Sequence, residues 1–214
     1  MKVLATRSAQ NASRLAATQT YKLLGDQLFI FVRAWGSTDY NQKFVDEIQH
    51  YMASSQADIE VTTPFDFQEN LTSLANRTRV ALLLAHDLFY KNENKNSYSV
   101  GFEALVLCHE KNELAWSSVG RFSIDKIFKN QLTALLHYGS DLDGEVLLPA
   151  ALLGVEREAP IISGSARGVT DTRLVTFSPF QCRPEYNLSA AAVESLVDVK
   201  NNEGSYWFSV LDVG

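Results

Sequence analysis

Four histidines, His50, His86, His109 and His137, two cysteines, Cys108 and Cys182, and one short acidic run are the residues most able to do chemistry in this sequence. A zinc site needs His and Cys side chains close enough to converge on one ion. Neither cysteine belongs to a Cys-x-x-Cys pair, and no histidine stands at metal spacing from either. Nucleophilic triads assemble in space rather than along the chain, and nothing in the order of Ser, His and Asp singles one out. The histidines therefore read as structural or surface residues. Asp141 and Asp143, in Ser-Asp-Leu-Asp-Gly-Glu, begin like a calcium loop but lack its remaining oxygen ligands and late bidentate Glu. That run reads as a solvated acidic turn. Phosphate-binding glycine loops, zincin helices and nucleophile elbows are absent. Trp35, Trp116 and Trp207 lie in or beside apolar stretches and read as core aromatics.

The 214 residues are 46% hydrophobic and 21% charged, which excludes a disordered chain, a collagen and a coiled-coil rod. Net charge is −6 without a basic block, so no nucleic-acid partner is expected. The longest apolar run, Val80 to Ala85, falls far short of the roughly 20 residues that a membrane span needs, and no membrane association is expected. Met1 to Arg7 lacks the apolar stretch of a secretory signal, and the few cysteines suit a reducing compartment. The expected location is the cytoplasm.

Asp26 to Ala34 is apolar, β-branched and aromatic, as in a buried strand. Tyr40, Phe44, Ile48 and Tyr51 recur at helical spacing over 40–53. Asp66 and Glu69 have capping-box spacing and open a long helix over 66–91. Strands are expected at Val100–Cys108 and Leu114–Val119, with Arg121–Phe128 continuing the meander. The stretch 129–171 is less regular. Thr172–Ser178 reads as a strand, Leu188–Val197 as a helix and Ser205–Val213 as a closing strand. No repeat and no Gly/Ser/Pro-rich linker divides the chain, so 1–214 is expected to be one domain. Segregated helices and strand runs give an α+β class.

The order of these segments and some local wording resemble the metal-dependent serine/threonine protein phosphatases of type 2C. The residues that carry the likeness include Phe102–Val119 followed by Gly120-Arg121, then Gln131-Leu132-Thr133, Leu147-Leu148-Pro149, Asp171–Ser178 and Tyr206–Val213. The resemblance implies a four-layer α-β-β-α sandwich with two mainly antiparallel sheets. It also implies a chemistry of two Mg²⁺ or Mn²⁺ ions, which hard carboxylate oxygens must hold and which activate the attacking water.

The chain departs from the family at each acidic landmark. Asn11-Ala12-Ser13 stands where the family has Asn-Glu-Asp, and Ala34-Trp35-Gly36 where its first long strand ends in Asp-Gly. Arg121 replaces the Asp of Val-Gly-Asp, Ser178-Pro179-Phe180 replaces Ser-Asp-Gly, and Gly204-Ser205 replaces the late Asp-Asn. Asp39 and Asp212 are the nearest substitute ligands, and each also reads as an ordinary strand-end or surface acid. The expectation is a catalytically degenerate phosphatase-like domain, a pseudophosphatase, that binds rather than hydrolyses. No cofactor is expected, and Mg or Mn would enter only for an active enzyme. Its partner would be a protein, such as a phosphoprotein or a signalling enzyme. Ala12, Ser13, Ala34, Trp35, Pro179 and Ser205 would line a remnant pocket, with Arg121 near its floor. The alternatives are an active metal-dependent phosphatase with displaced ligands, or an unrelated structural or assembly protein. The fold also resembles that of N-terminal nucleophile hydrolases, but the chain begins Met1-Lys2 rather than with a nucleophile.

Overall fold

The computed structural model describes residues 1–9, 17–57, 63–138, 149, 151–179, 184–190, 192–199 and 206–214. In chain order the strands and helices are β1 (Lys2–Ala9), β2 (Gln19–Leu23), β3 (Leu28–Gly36), α1 (Asn41–Ala57), α2 (Ser73–Leu88), β4 (Val100–Glu110), β5 (Glu113–Val119), β6 (Ser123–Phe128), β7 (Gln131–Leu136), β8 (Ile162–Arg167), β9 (Thr172–Pro179), β10 (Pro184–Tyr186), β11 (Val197–Val199) and β12 (Tyr206–Val213). The class is α+β, as expected. The chain gathers into two compact units, one of Thr18–Gly120 with Pro149–Gly168 and one of Met1–Ala17, Arg121–Leu148 and Val169–Gly214.

The first unit holds both α-helices and a five-stranded antiparallel sheet ordered β2-β3-β4-β5-β8. In β3 and β4 the side chains alternate between faces, as the two-residue period of a strand requires. Leu28, Ile30, Val32 and Ala34, with Phe102, Ala104, Val106 and Cys108 beside them, enter the core under the helices. Phe44 of α1, Phe89 just past α2 and Phe102 of β4 lock these layers together. Phe44 and Phe102 stack at 4.3 Å, and Phe89 meets Phe102 edge-on at 4.8 Å.

Helix α2 starts later than its sequence suggests. Thr72 is the cap, its hydroxyl accepting from the Ala75 N–H at 3.2 Å. Asp66 and Glu69 lie in a preceding loop that Asn76 fastens, donating to Gln68 O and accepting from Gln68 N. Past Leu88 the helix loosens into a π-helical turn, Phe89–Glu93.

The second unit holds a five-stranded antiparallel sheet ordered β1-β12-β9-β6-β7 and the hairpin β10-β11. Strand β6 belongs here and does not continue the meander from β5. The free edge of β5 is taken by β8, with Glu113 opposite Arg167, and Gly120 turns the chain away at φ +90°. No helix forms over Leu188–Val197 among its described residues beyond a 3-10 turn, Val193–Ser195. The chain doubles back there, Tyr186 pairing with Val197, and buries Leu196 and Val197 against Val175, Phe177 and Phe208. Short helices are marginal alone, and this pairing outweighs local propensity. Strands β7 and β8 fall in the stretch read as irregular, and β1 and β2 had no signal in the sequence. The acidic turn at Asp141 and Asp143 lies outside the described residues. No helix among the described residues is long and apolar enough to cross a membrane.

Candidate functional site

Strand β3 is buried along both faces through Ala34, and β2 and β4 pair with its two edges. Two charges nevertheless sit inside this pair of strands. Arg33 faces Glu103 directly in the β3–β4 register, on the side turned away from the helices. Arg33 is 2% exposed and Glu103 is wholly buried, a placement that charged side chains tolerate only when paired.

The pairing is specific. Arg33 Nη1 donates to Glu103 Oε2 at 3.1 Å and Nη2 to Thr18 Oγ1 at 2.8 Å. Trp35 donates its indole N–H to the same Glu103 oxygen at 3.0 Å. Its carbonyl accepts the hydroxyl of Tyr98. The rest of the carboxylate lies against the bare Cα of Gly120, where a Cβ would come within 2.7 Å of Oε1 and 2.5 Å of Cγ. The arrangement fixes a positive charge beside a carboxylate already occupied by two donors.

Mg²⁺ and Mn²⁺ need several open oxygen ligands at close range. Trp35 offers none, and Glu103 is enclosed and neutralised by Arg33. Asp39 sits in the 3-10 turn after β3, its N–H and carboxylate both engaged by the Ser37 hydroxyl. Asp212 lies in β12 between Lys2 of β1 and Arg173 of β9 in register, an ordinary cross-strand charge arrangement. Among the described residues no three His, Cys, Asp or Glu side chains gather as metal ligands. The residues at the end of β3 do not fit a two-metal centre.

Of the other residues singled out from the sequence, Ala34 and Trp35 end β3. Arg121 follows Gly120 in the turn before β6 and is half-buried. Pro179 closes β9, paired with Tyr206. Ala12, Ser13 and Ser205 lie outside the described residues. His86 is buried on α2, its Nδ1 accepting from the Gly154 N–H at 3.0 Å and its pKa lowered chiefly by burial. It acts there as a neutral structural acceptor. Burial also pushes the Cys108 thiol up to about 12. Sequence reasoning missed Arg33 and Glu103. The available signal was one charge inside each of two otherwise apolar runs.

No family model matches the sequence, and no curated protein matches it. The solved structures are informative about the fold. They define it as that of the PPM, or type 2C, serine/threonine phosphatases, which the chain resembles from end to end. A PPM Ser-Thr phosphatase of Mycobacterium smegmatis, in complex with cacodylate, is similar at a TM-score of 0.61 and 12% identity, with 100% of each chain covered. The catalytic domain of the phosphatase PstP, in complex with two manganese ions, is similar at 0.53 and 13% identity, with 97% of this chain and 96% of that one covered. PppA of Pseudomonas aeruginosa, described as a key regulatory component of T6SS, is similar at 0.57 and 12% identity, with 97% and 98% covered.

Proposed function

We propose that residues 1–214 form a single phosphatase-like domain that has given up metal-dependent hydrolysis and acts by binding, as a regulatory module in the cytoplasm. Its partner is a protein, either a phosphoprotein or a signalling enzyme. The observation that carries this reading is the cluster of Arg33, Glu103 and Trp35 at the end of β3. Ala34-Trp35-Gly36 stands where the type 2C resemblance places Asp-Gly, and beside it the Trp35 indole and the Arg33 guanidinium both hold the Glu103 carboxylate. On that match a metal ligand is missing, and the nearby carboxylate of Glu103 is already matched by Arg33. A regulatory role on this fold has a parallel in PppA, which is described as a regulatory component of its own system.

The test is a calorimetric titration of chelator-treated protein with Mn²⁺, followed by a phosphopeptide assay. No saturable heat up to about 1 mM metal is expected, since weaker binding than that corresponds to less than about 4 kcal/mol. Release of phosphate is expected to stay at background. Binding of two ions at micromolar metal, with turnover, would return the active phosphatase to first place.

A further inference from the structure

The two five-stranded sheets have four edge strands, β1 and β7 in one unit and β2 and β8 in the other. An edge strand offers unpaired N–H and C=O groups to any extended chain, and proteins blunt such edges with bulges, charges or proline. Three of these edges are blunted. Strand β1 shifts register between Val3 and Ala5 and carries Lys2 and Arg7. The β6–β7 pairing shifts between Ile124 and Asp125. Strand β2 carries Lys22, paired with Asp26 at 2.8 Å. Strand β8 differs from all three. Its residues, Ile-Ser-Gly-Ser-Ala-Arg, run in unbroken register along β5 and hold no charge before Arg167. Among the described residues no backbone group of 162–167 bonds to a backbone outside β5.

The side chains of β8 sort by face. Ser163 meets Ser117, which also bonds Thr78 of α2, and Ser165 accepts from Thr72 at 3.3 Å. These serines therefore turn toward the helices, and alternation puts Arg167 on the same face. Arg167 lines a cleft there with Lys111. It is exposed and makes no ion pair among the described residues, although Glu113 stands opposite it in register. Glu110, in the same cleft, is taken by Arg77 at 2.6 Å. The exposed charges at this end of β8 are thus the cations Arg167 and Lys111. At the other end, on the opposite face, Ile162 is 55% exposed. The two ends are about 17 Å apart, and Gly164 and Ala166 between them present little bulk.

We propose that the β8 edge takes an extended acidic segment of a partner protein as a sixth, antiparallel strand. Open backbone groups call for an extended backbone, which is the mode of strand addition. An Asp or Glu of that segment stands opposite Arg167, and an apolar side chain five positions on packs on Ile162. A basic segment would set like charges opposite each other at Arg167. A second copy of this chain fits less well. Pairing β8 with itself about Gly164 and Ser165 sets Ile162, not an acid, opposite Arg167. The inference gives the proposed binding role a surface, and it rests on that reading only in taking the partner to be a protein.

The test uses the full chain and a six-residue probe, acetyl-Glu-Val-Thr-Val-Thr-Val-amide, followed by calorimetry and amide hydrogen exchange. In antiparallel register its Glu faces Arg167, its Thr side chains face Ser165 and Ser163, and its last Val faces Ile162. Saturable one-to-one binding below about 1 mM is expected, with slowed exchange on β8 and not on β2. Replacing the probe's Glu by Lys should weaken binding about tenfold or more, the effect of losing one charge-assisted pair. Arg167→Glu should reverse that preference. N-methylation of alternate probe residues should abolish binding when it blocks the edge facing β8, and spare it on the other edge. Ile162→Lys, which puts a guarding charge at an exposed position, should weaken the Glu probe. An unchanged thermal midpoint confirms that both variants fold. No saturable binding at about 1 mM, equal binding of the Glu and Lys probes, or equal effects of the two methylated sets would overturn the proposal. Dimerisation of the chain through β8, seen by sedimentation, would assign the edge to a second copy and overturn it too. The Mn²⁺ titration reads metal and this test reads peptide, so either proposal can fail alone.

Discussion

Two buried carboxylates, one in each unit, are stabilised in opposite ways. Glu103 of β4 is enclosed with a guanidinium and an indole, and its charge is matched by that of Arg33. Asp125 of β6 is 7% exposed and accepts the hydroxyl of Tyr186 at 2.5 Å. Burial raises the pKa of Asp125, while the Tyr186 hydrogen bond and the His137 charge pull it back down. Burial and the Asp125 carboxylate also push the Tyr186 hydroxyl up. A cation partner converts a carboxylate into a permanent structural charge, whereas a neutral donor leaves it close to a proton. The first arrangement is a rigid element of the site, and the second makes the stability of its own unit depend on pH.

The comparison predicts its largest effects at Glu103. Glu103→Gln leaves a buried guanidinium without its counter-charge and should cost about 3–5 kcal/mol in urea unfolding. Replacing both partners, as Arg33→Met with Glu103→Leu, should recover most of that loss. A double-mutant cycle should show coupling of about 2 kcal/mol or more. Additive effects would mean that the pair is no unit at all. Gly120→Ala comes next, at about 3 kcal/mol, from a positive φ and a Cβ driven into the Glu103 side chain. Made on a Glu103→Ala background, the same substitution should lose only part of its cost, because the retained Cβ still stands 2.6 Å from the new methyl group.

The visibility of these features in the sequence follows from burial. Strands β3, β4, β5, β9 and β12 and helix α1 have near-continuous or periodic apolar residues, and their positions were legible to within a few residues. Strands β1, β2, β7 and β8 have almost no fully buried residues, so neither alternation nor apolar runs mark them. The 184–199 hairpin depends on pairing that a local reading of Leu188–Val197 cannot contain. The candidate site divides the same way. Ala34 and Trp35 stand out because they interrupt a family pattern at a strand end. The facing of Arg33 and Glu103 depends on the register of two strands separated by both helices, which no single segment encodes.

Asp125 sharpens the contrast through pH. Its folded pKa lies above the unfolded carboxylate value, so between the two the folded chain holds more protons. Stability from this group is therefore greatest at low pH, declines as pH rises through that window, and is flat above it. Asp125→Asn should gain on the wild type as pH rises from 4 to 8, with urea midpoints as the measurement. Tyr186→Phe removes the O–H that supports the charged form and should cost about 1.5–3 kcal/mol at pH 8, with a smaller loss at pH 4. A loss independent of pH would mean that the phenol serves packing alone.

Cys108 supplies the limiting case, a titratable group buried with no hydrogen-bonding partner among the described residues to offset desolvation. Burial is the main cause of its raised pKa, about 12, with Glu110 adding to it and Arg77 opposing. The nucleophile is the thiolate, which is negligible in the fold at neutral pH. On a Cys182→Ser background, alkylation by iodoacetamide should therefore follow unfolding of the helix-bearing unit rather than pH. Raising pH from 7 to 9 should multiply the rate for urea-unfolded chain by more than tenfold, following thiolate formation near an ordinary thiol pKa of about 8.5. Native protein should stay slow at both values unless the unfolding equilibrium itself shifts. A native rate that rises as steeply as the unfolded one would show that Cys108 reaches solvent by local opening. Desolvation would then not be what sets its chemistry, and the ordering cation, phenol, no partner would lose its last member.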